Sequence, residues 1–262
     1  KNIYGPYEEK AVIRDSTPGI NYGIHQGALI QTQRGEWWTM LFVDRGPLGR
    51  FPSLQPVTWV DGWPMVGVDG KAVVTYKKPN VGKTYPIKDF PTSDEFSGKS
   101  PGMQWGWNHN PDSTKWSLTR RPGYLRLTTV GRAEGFMDAR NTLTQRPFAK
   151  RDESVPTVAT AKMELKGMKD GDIAGLAVLQ DPYAYIGVRR RGNSKYLVMV
   201  NNGKLLDSVP VSQSTIYFRT QLSNISKKAA FEYSFDNKTF RSLGNELMMR
   251  FSLKMCTVNK FG

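Results

Sequence analysis

The chain is poor in the residues that staple or ligate. A single cysteine, Cys256, occurs among 262 residues, which excludes an internal disulfide and any multi-cysteine metal site. With no histidine near it in sequence, Cys256 reads as a buried, inert thiol in a strand-like run. Only two histidines are present, His25 and His109, far apart and without a second ligand at zinc-like spacing. No apolar run approaches the roughly 20 residues that a bilayer-crossing helix needs. Helical periodicity is almost missing: residues 244–255 (GNELMMRFSLKM) come nearest and read equally well as a strand. P-loop, GxGxxG and GxSxG patterns are missing, so phosphate-cradling, dinucleotide and serine-hydrolase chemistries lack their signatures. Acidic residues are outnumbered, with 23 Asp+Glu against 37 Lys+Arg and a net charge of +14.

What the chain has is strands. Hydrophobic residues make up 39% and aromatics 11%, which excludes wholesale disorder. Strand signals bounded by Gly, Asn, Asp and Pro recur at 37–43, 72–76, 124–130, 158–165, 174–179, 185–190, 195–200, 214–222 and 229–235. Asn201-Asn202-Gly203 and Asp236-Asn237 stand between strand pairs, where hairpin turns want positive φ. This spacing points to an all-β sandwich or barrel.

A seam interrupts the pattern. Residues 77–101 are rich in Lys, Pro, Gly and Ser and lack alternation, as a linker over a surface does. Residues 1–90 carry a net charge of +3 and residues 91–262 carry +11. The segment before the seam is short for a large β domain, so its strands are expected to need partners from elsewhere. The longer segment after it is large enough to bury its own core. The chain opens on Lys1 with no signal-peptide pattern, and the expectation is a processed or excised piece.

Three groups of residues bear on chemistry. Glycoside hydrolysis needs one carboxylic acid for the leaving oxygen and a second carboxylate for water or direct attack. The acids available in the first segment are Asp15, Glu36, Asp44, Asp61 and Asp69. Glu36 and Asp61 stand in turns, and Asp44 ends a strand within reach of Arg45 or Arg50. None carries the signature of a catalytic acid. Trp105 and Trp107 alternate in MQWGWNHNPD and so share one face of a strand. Such a face stacks on a sugar ring or, equally, fills a sandwich core. Arg189-Arg190-Arg191 and Lys227-Lys228 border turns and are scattered rather than striped, so solvated strand edges explain them and nucleic acid is not expected as a partner.

Several longer motifs narrow the reading. Residues 21–67 (NYGIHQGALIQTQRGEWWTMLFVDRGPLGRFPSLQPVTWVDGWPMVG) resemble the closing part of the five-bladed β-propeller of glycoside hydrolase family 43. The stretches SDEFSGKSPGMQWGWNHNPDSTKWSLTRRPGYLRL and DARNTLTQR resemble the β-sandwich that follows the propeller in the β-xylosidase and α-L-arabinofuranosidase branch. The resemblance implies an all-β fold: a partial propeller over residues 1–76, a linker over 77–93, and a concanavalin-like (jelly-roll) β-sandwich over 94–262.

It further implies an inverting, exo-acting hydrolase that releases xylose or arabinose units from xylan or arabinoxylan, with an extracellular or periplasmic location. No organic cofactor and no membrane are expected. The family's base Asp, tuning Asp and acid Glu lie upstream of the IYGPYE region, and no residue here matches them. The chain alone is therefore expected to be inactive, its other propeller blades coming from the same polypeptide or a separate chain. His25 matches a histidine near the propeller axis that the family uses to hold a hydrated calcium ion or otherwise to organise the pocket floor, with Gln26 supporting it. Arg50 matches an arginine at the sugar subsite, where a guanidinium fork suits vicinal hydroxyls. The 136–146 loop is read as extending toward the propeller mouth, with Phe136 as its candidate side chain. Asp94-Glu95-Phe96 resembles a calcium-binding start. The alternative is a non-catalytic module that binds xylan through Trp105 and Trp107 or serves as a structural brace.

Overall fold

The computed structural model describes residues 2–14, 24–86, 88–148, 154–255 and 257–262. Asp15 and Cys256 lie outside the described residues. The chain divides into two compact units, Lys1–Lys88 and Asp89–Gly262, and the division falls within the Lys/Pro/Gly-rich stretch.

The first unit is built on one antiparallel meander of β1 (Ile24–Gln31), β2 (Trp37–Asp44), β3 (Arg50–Val60) and β4 (Trp63–Val66) in sequential order. Short turns force this order. Asp61 and Gly62 alone join β3 to β4, with φ of 51° and 78°, the two left-handed residues of a type I′ turn. β3 carries Pro52 and Pro56, and neither removes a needed ladder bond. β4 pairs with Val57–Val60, and just beyond it the Pro56 carbonyl still accepts the Gly67 N–H at 2.8 Å, so the missing proline N–H leaves the sheet's other bonds in place.

Residues directly opposite each other share a face. Ala28, Met40 and Leu54 form one such row, and Ile30, Trp38 and Pro56 form the next. Trp38 is buried at 3%, but Ile30, Met40 and Leu54 are 44%, 39% and 36% exposed, an apolar row open to solvent.

Residues 72–76, which alternate like a strand, are not one. Gln55 is buried, and its side-chain amide donates to the Val73 carbonyl at 2.9 Å and accepts the Val73 N–H at 2.8 Å. A side chain thereby takes both groups that a neighbouring strand would have used.

In the second unit two sheets enclose one core. The strands are β5 (Trp105–Trp107), β6 (Trp116–Ser117), β7 (Arg126–Leu127), β8 (Leu143–Gln145), β9 (Thr157–Glu164), β10 (Ile173–Leu179), β11 (Ala184–Arg191), β12 (Ser194–Asn201), β13 (Lys204–Val211), β14 (Thr215–Leu222), β15 (Lys228–Ser234), β16 (Arg241–Ser242), β17 (Leu247–Met248) and β18 (Lys260–Phe261). One sheet runs β13-β12-β11-β10-β18-β8-β5 and the other β16-β15-β14-β9, with β17 also on β15. β6 and β7 pair separately, so the strand read at 124–130 shrinks to Arg126–Leu127. Leu127 is half exposed there. The helix-like or strand-like 244–255 stretch contributes only β17.

β14 shows the pattern most plainly: Ile216, Phe218, Thr220 and Leu222 are fully buried while the residues between them are not. They meet Val178, Ile186, Leu197 and Met199 of the facing sheet. Each such side chain contributes about 1.5–3 kcal/mol on burial. The buried Thr220 hydroxyl donates to the Ala230 carbonyl at 3.0 Å, so its polarity is met inside the sheet. β13, with Pro210, ends the larger sheet, where a missing ladder donor costs nothing.

Candidate functional site

In an antiparallel meander the start of β1, the end of β2 and the start of β3 coincide. Register sets His25 opposite Phe42, Phe42 opposite Pro52, and Asp44 opposite Arg50. These side chains share the face of the open apolar row and sit at its end. A bulge between His25 and Ala28 shifts the ladder at the same place, with Gln26 at a φ of 30°. Gly27 is required inside it: an added Cβ would lie 1.7 Å from the Met40 carbonyl oxygen. His25-Gln26-Gly27 is thus one device, a kink that re-aims the first two side chains.

The result is an open hollow of about 280 Å³ lined by His25, Gln26, Phe42, Asp44 and Arg50. The imidazole and the Phe42 ring lie 5.6 Å apart, tilted by 43°. The Arg50 guanidinium lies over the same ring, 4.5 Å from its centroid. Asp44 accepts the Gly46 N–H at 3.1 Å and opens a single 3-10 turn over Gly46–Leu48. Arg45 N–H then donates to the Gly49 carbonyl at 2.8 Å, which closes the loop and returns the chain at Arg50. An aromatic face, a guanidinium, an amide, an imidazole and one carboxylate make a set that suits a polyhydroxyl ligand. Among the described residues it holds one acid, Asp44, whereas hydrolysis of a glycoside takes two.

Glu36, Asp61 and Asp69 do not line this hollow. The Glu36 carboxylate accepts the Asn80 N–H at 2.7 Å and the Trp38 indole N–H at 3.3 Å, with Lys77 at 3.6 Å. The Asn80 bond, above all, holds Glu36 below the usual carboxylate range and keeps it ionised, the wrong state for an acid catalyst. Asp61 and Asp69 both take positive φ in turns.

The candidates of the second unit do not join one site. The Trp105 indole donates to Asp94 at 2.7 Å and stacks on Phe96 at 5.6 Å. Trp107 tilts against Trp116 at 5.3 Å. Both indoles are half-buried and carry the packing of this corner. Asp94 also accepts from Phe96 N–H and the Gln104 amide, so three N–H donors surround its carboxylate. Among the described residues no three His, Cys, Asp or Glu side chains gather as a metal-holding group.

Phe136 opens a 3-10 turn (Phe136–Asp138) and packs on Tyr183 and Tyr185 at 5.2 and 5.6 Å. Burial raises the Tyr185 hydroxyl above its ordinary pKa. His109 meets the Met137 carbonyl at 2.7 Å and anchors this turn. Asn141, buried in the DARNTLTQR motif, clamps the Asp112 backbone through its Oδ1 at 2.8 Å and its Nδ2 at 3.1 Å.

Sequence reasoning found His25, Gln26 and Arg50 but placed no role on Phe42. The signal available was its parity with Asp44 in WWTMLFVD, two residues apart on one face.

Comparison with known proteins agrees with this architecture. Residues 93–261 match the family described as the beta xylosidase C-terminal concanavalin A-like domain. A beta-xylosidase of Formosa agariphila is 37% identical over 96% of this chain and 46% of its own length. A non-reducing end alpha-L-arabinofuranosidase of Bacteroides ovatus, BoGH43B, is 28% identical over 86% of this chain and 47% of its own. Among solved structures, a bifunctional GH43-CE of Bacteroides eggerthii superposes with a TM-score of 0.85 at 37% identity, over 99% of this chain and 33% of that one. The chain spans about half the length of the curated relatives it matches.

Proposed function

The chain belongs to glycoside hydrolase family 43, and on that premise we propose that it is the C-terminal part of an enzyme releasing xylose or arabinose units from xylan or arabinoxylan. The reading is of an inverting hydrolase whose catalytic carboxylates stand outside these 262 residues. The observation that carries it is the hollow of His25, Phe42, Asp44 and Arg50: it has the groups that hold a sugar and, among the described residues, one acid where cleavage takes two. In this reading the first unit closes the propeller and supplies one wall of the sugar pocket, and residues 94–262 form the sandwich that follows.

Arg50 donates a planar fork to vicinal hydroxyls, and the Phe42 ring supports its guanidinium at 4.5 Å. The positive charge of Arg50 also favours the ionised form of a carboxylate brought beside it. A hydrated calcium ion fits the residues present in one respect: the ring nitrogen of His25, the amide oxygen of Gln26 and the carboxylate of Asp44 are all acceptors for metal-bound water. When bound, such an ion would supply positive charge to the pocket floor. An extracellular or periplasmic location belongs to the same reading.

The test is turnover of nitrophenyl xyloside and arabinofuranoside. The 262-residue chain is expected to give none, and the complete enzyme to give turnover that falls at least tenfold in Arg50→Ala. Turnover by the chain itself that is abolished by a single Asp or Glu change within it would overturn the reading.

A further inference from the structure

The hairpin between β15 and β16 holds a second cleft that the proposed hydrolysis does not use. It has a volume of about 150 Å³ and is lined by Tyr233, Ser234, Phe235, Asp236, Thr239 and Arg241. Two aromatic rings form its wall. Tyr233 and Phe235 meet edge to face, with centroids 5.5 Å apart and planes at 66°. Tyr233 is seated on the core, whereas Phe235 is 40% exposed. Arg241 is the cross-strand partner of Tyr233 and is exposed beside it.

The turn is rigid for stated reasons. Oδ1 of Asp236 accepts the Ser234 hydroxyl at 2.7 Å and the Lys238 and Thr239 N–H groups at 2.8 Å each. Ser234 is 2% exposed, so the Asp236 carboxylate is tied to a buried hydroxyl. Its pKa falls to about 2, chiefly through the Thr239 and Lys238 N–H groups, and the side chain is an acceptor at any working pH. Phe240, at the far end of the turn, is capped by the Arg219 guanidinium at 3.4 Å. These three hydrogen bonds fall on Oδ1, and a carboxylate has about four lone-pair sites, so Asp236 keeps acceptor capacity for a ligand in the cleft it lines.

An apolar wall, a fixed acceptor and a charged donor in one small cleft are the complement of a sugar ring. The C–H face of the ring lies against an aromatic side chain, and its hydroxyls donate to the carboxylate and accept from the guanidinium. A phosphate or other anion would meet the Asp236 charge, so a neutral ligand is favoured. We propose that this cleft is a binding subsite for one sugar ring of a neutral polysaccharide chain of the xylan class. The site follows from its own geometry; the choice of xylan rests on the function proposed above. Because the turn is preorganised, little ordering entropy opposes binding. One small subsite still holds a chain weakly, so a polymer with many rings is the sensitive probe.

The experiment is affinity electrophoresis of the 262-residue chain in native gels with and without soluble xylan. Wild type is expected to be retarded by xylan. Phe235→Ala and Arg241→Ala are each expected to lose at least half of that retardation, with circular-dichroism melts like wild type, while the charge-matched Lys204→Ala, at an exposed position of β13 that lines neither hollow, stays retarded. Should Phe235→Ala fail to fold, Arg241→Ala at an exposed position decides alone. No retardation of wild type, or full retardation of the folded variants, overturns the subsite. Retardation that is lost only in Arg50→Ala also overturns it, since binding then lies in the other hollow. Xyloside hydrolysis by the complete enzyme is measured beside it: a wild-type gel shift lost in the cleft variants, with no such turnover, supports the subsite and counts against the hydrolase reading.

Discussion

The guanidinium of Arg50 rests 4.5 Å above the centroid of the Phe42 ring, and the two residues stand on neighbouring strands of one sheet. A flexible arginine is thereby held near its working position before any ligand arrives. A contact of this kind at an open site is worth about 0.5–1 kcal/mol. Phe42→Leu in the complete enzyme is expected to lower kcat/KM on aryl xylosides by about two- to fivefold, less than Arg50→Ala does. An effect of Phe42→Leu equal to that of Arg50→Ala would mean that the ring touches the sugar itself.

Gly27→Ala is expected to damage the hollow more than a surface change should. The added Cβ falls on the Met40 carbonyl oxygen, so the bulge or the β1–β2 ladder must shift. Overpacking of this kind costs about 1–3 kcal/mol. A melting temperature several degrees lower is expected by calorimetry; Gly35→Ala at the β1–β2 turn, where nothing lies within 4 Å of an added Cβ, gives the comparison for a glycine with positive φ alone.

Replacing the buried Gln55 by Leu is expected to destabilise the first unit by about 1–3 kcal/mol per unsatisfied group. The Val73 N–H and carbonyl both lose their partner while the sheet keeps its shape. Hydrogen exchange at the Val73 amide should rise well before exchange in β2 does. Equal protection in both variants would show that water replaces the amide without cost.

Acid titration should expose one ion pair of the second unit. Arg121 grips Glu164 with two N–H groups and lies 3.9 Å over the Tyr124 ring. Hydrogen bonding to Arg121, more than any other cause, lowers the Glu164 pKa to about 2. A depressed folded pKa means that the stabilisation is present above the unfolded value near 4.5 and is lost as pH falls towards 2. The melting temperatures of wild type and Glu164→Gln are expected to differ at pH 6 and to converge between pH 4.5 and 2. A constant gap across that window would count against the pair.

Calcium should act through His25. In the complete enzyme, calcium is expected to raise the wild-type melting temperature and to have a smaller effect in His25→Ala. Parallel shifts in both proteins would remove His25 from any metal role.

Most long strands were legible because a half-buried strand must alternate, and β14 does so at every position. The failures have particular causes. Residues 72–76 alternate, yet a side chain took their backbone groups, and periodicity carries no trace of that. β3 was hidden by Pro52 and Pro56, which look like strand breakers in a sequence although both pair with β2. β13 was hidden by Pro210, tolerable only because that strand is an edge. Family resemblance, not local pattern, named His25 and Arg50, and register brings the two into one hollow. Phe42 was not, because in a run as apolar as WWTMLFV only the register shows which ring faces the imidazole. The aromatic pair Trp105 and Trp107 drew attention by its spacing, but spacing is blind to Asp94, Phe96 and Trp116, which engage both indoles.

The uncovered Ile30, Met40 and Leu54 bear on the bench as well as on the fold. A preparation of this chain on its own should behave as a sticky solute. Its light scattering should climb with concentration and fall on adding mild detergent, and a single Met40→Lys change should make it far easier to keep in solution.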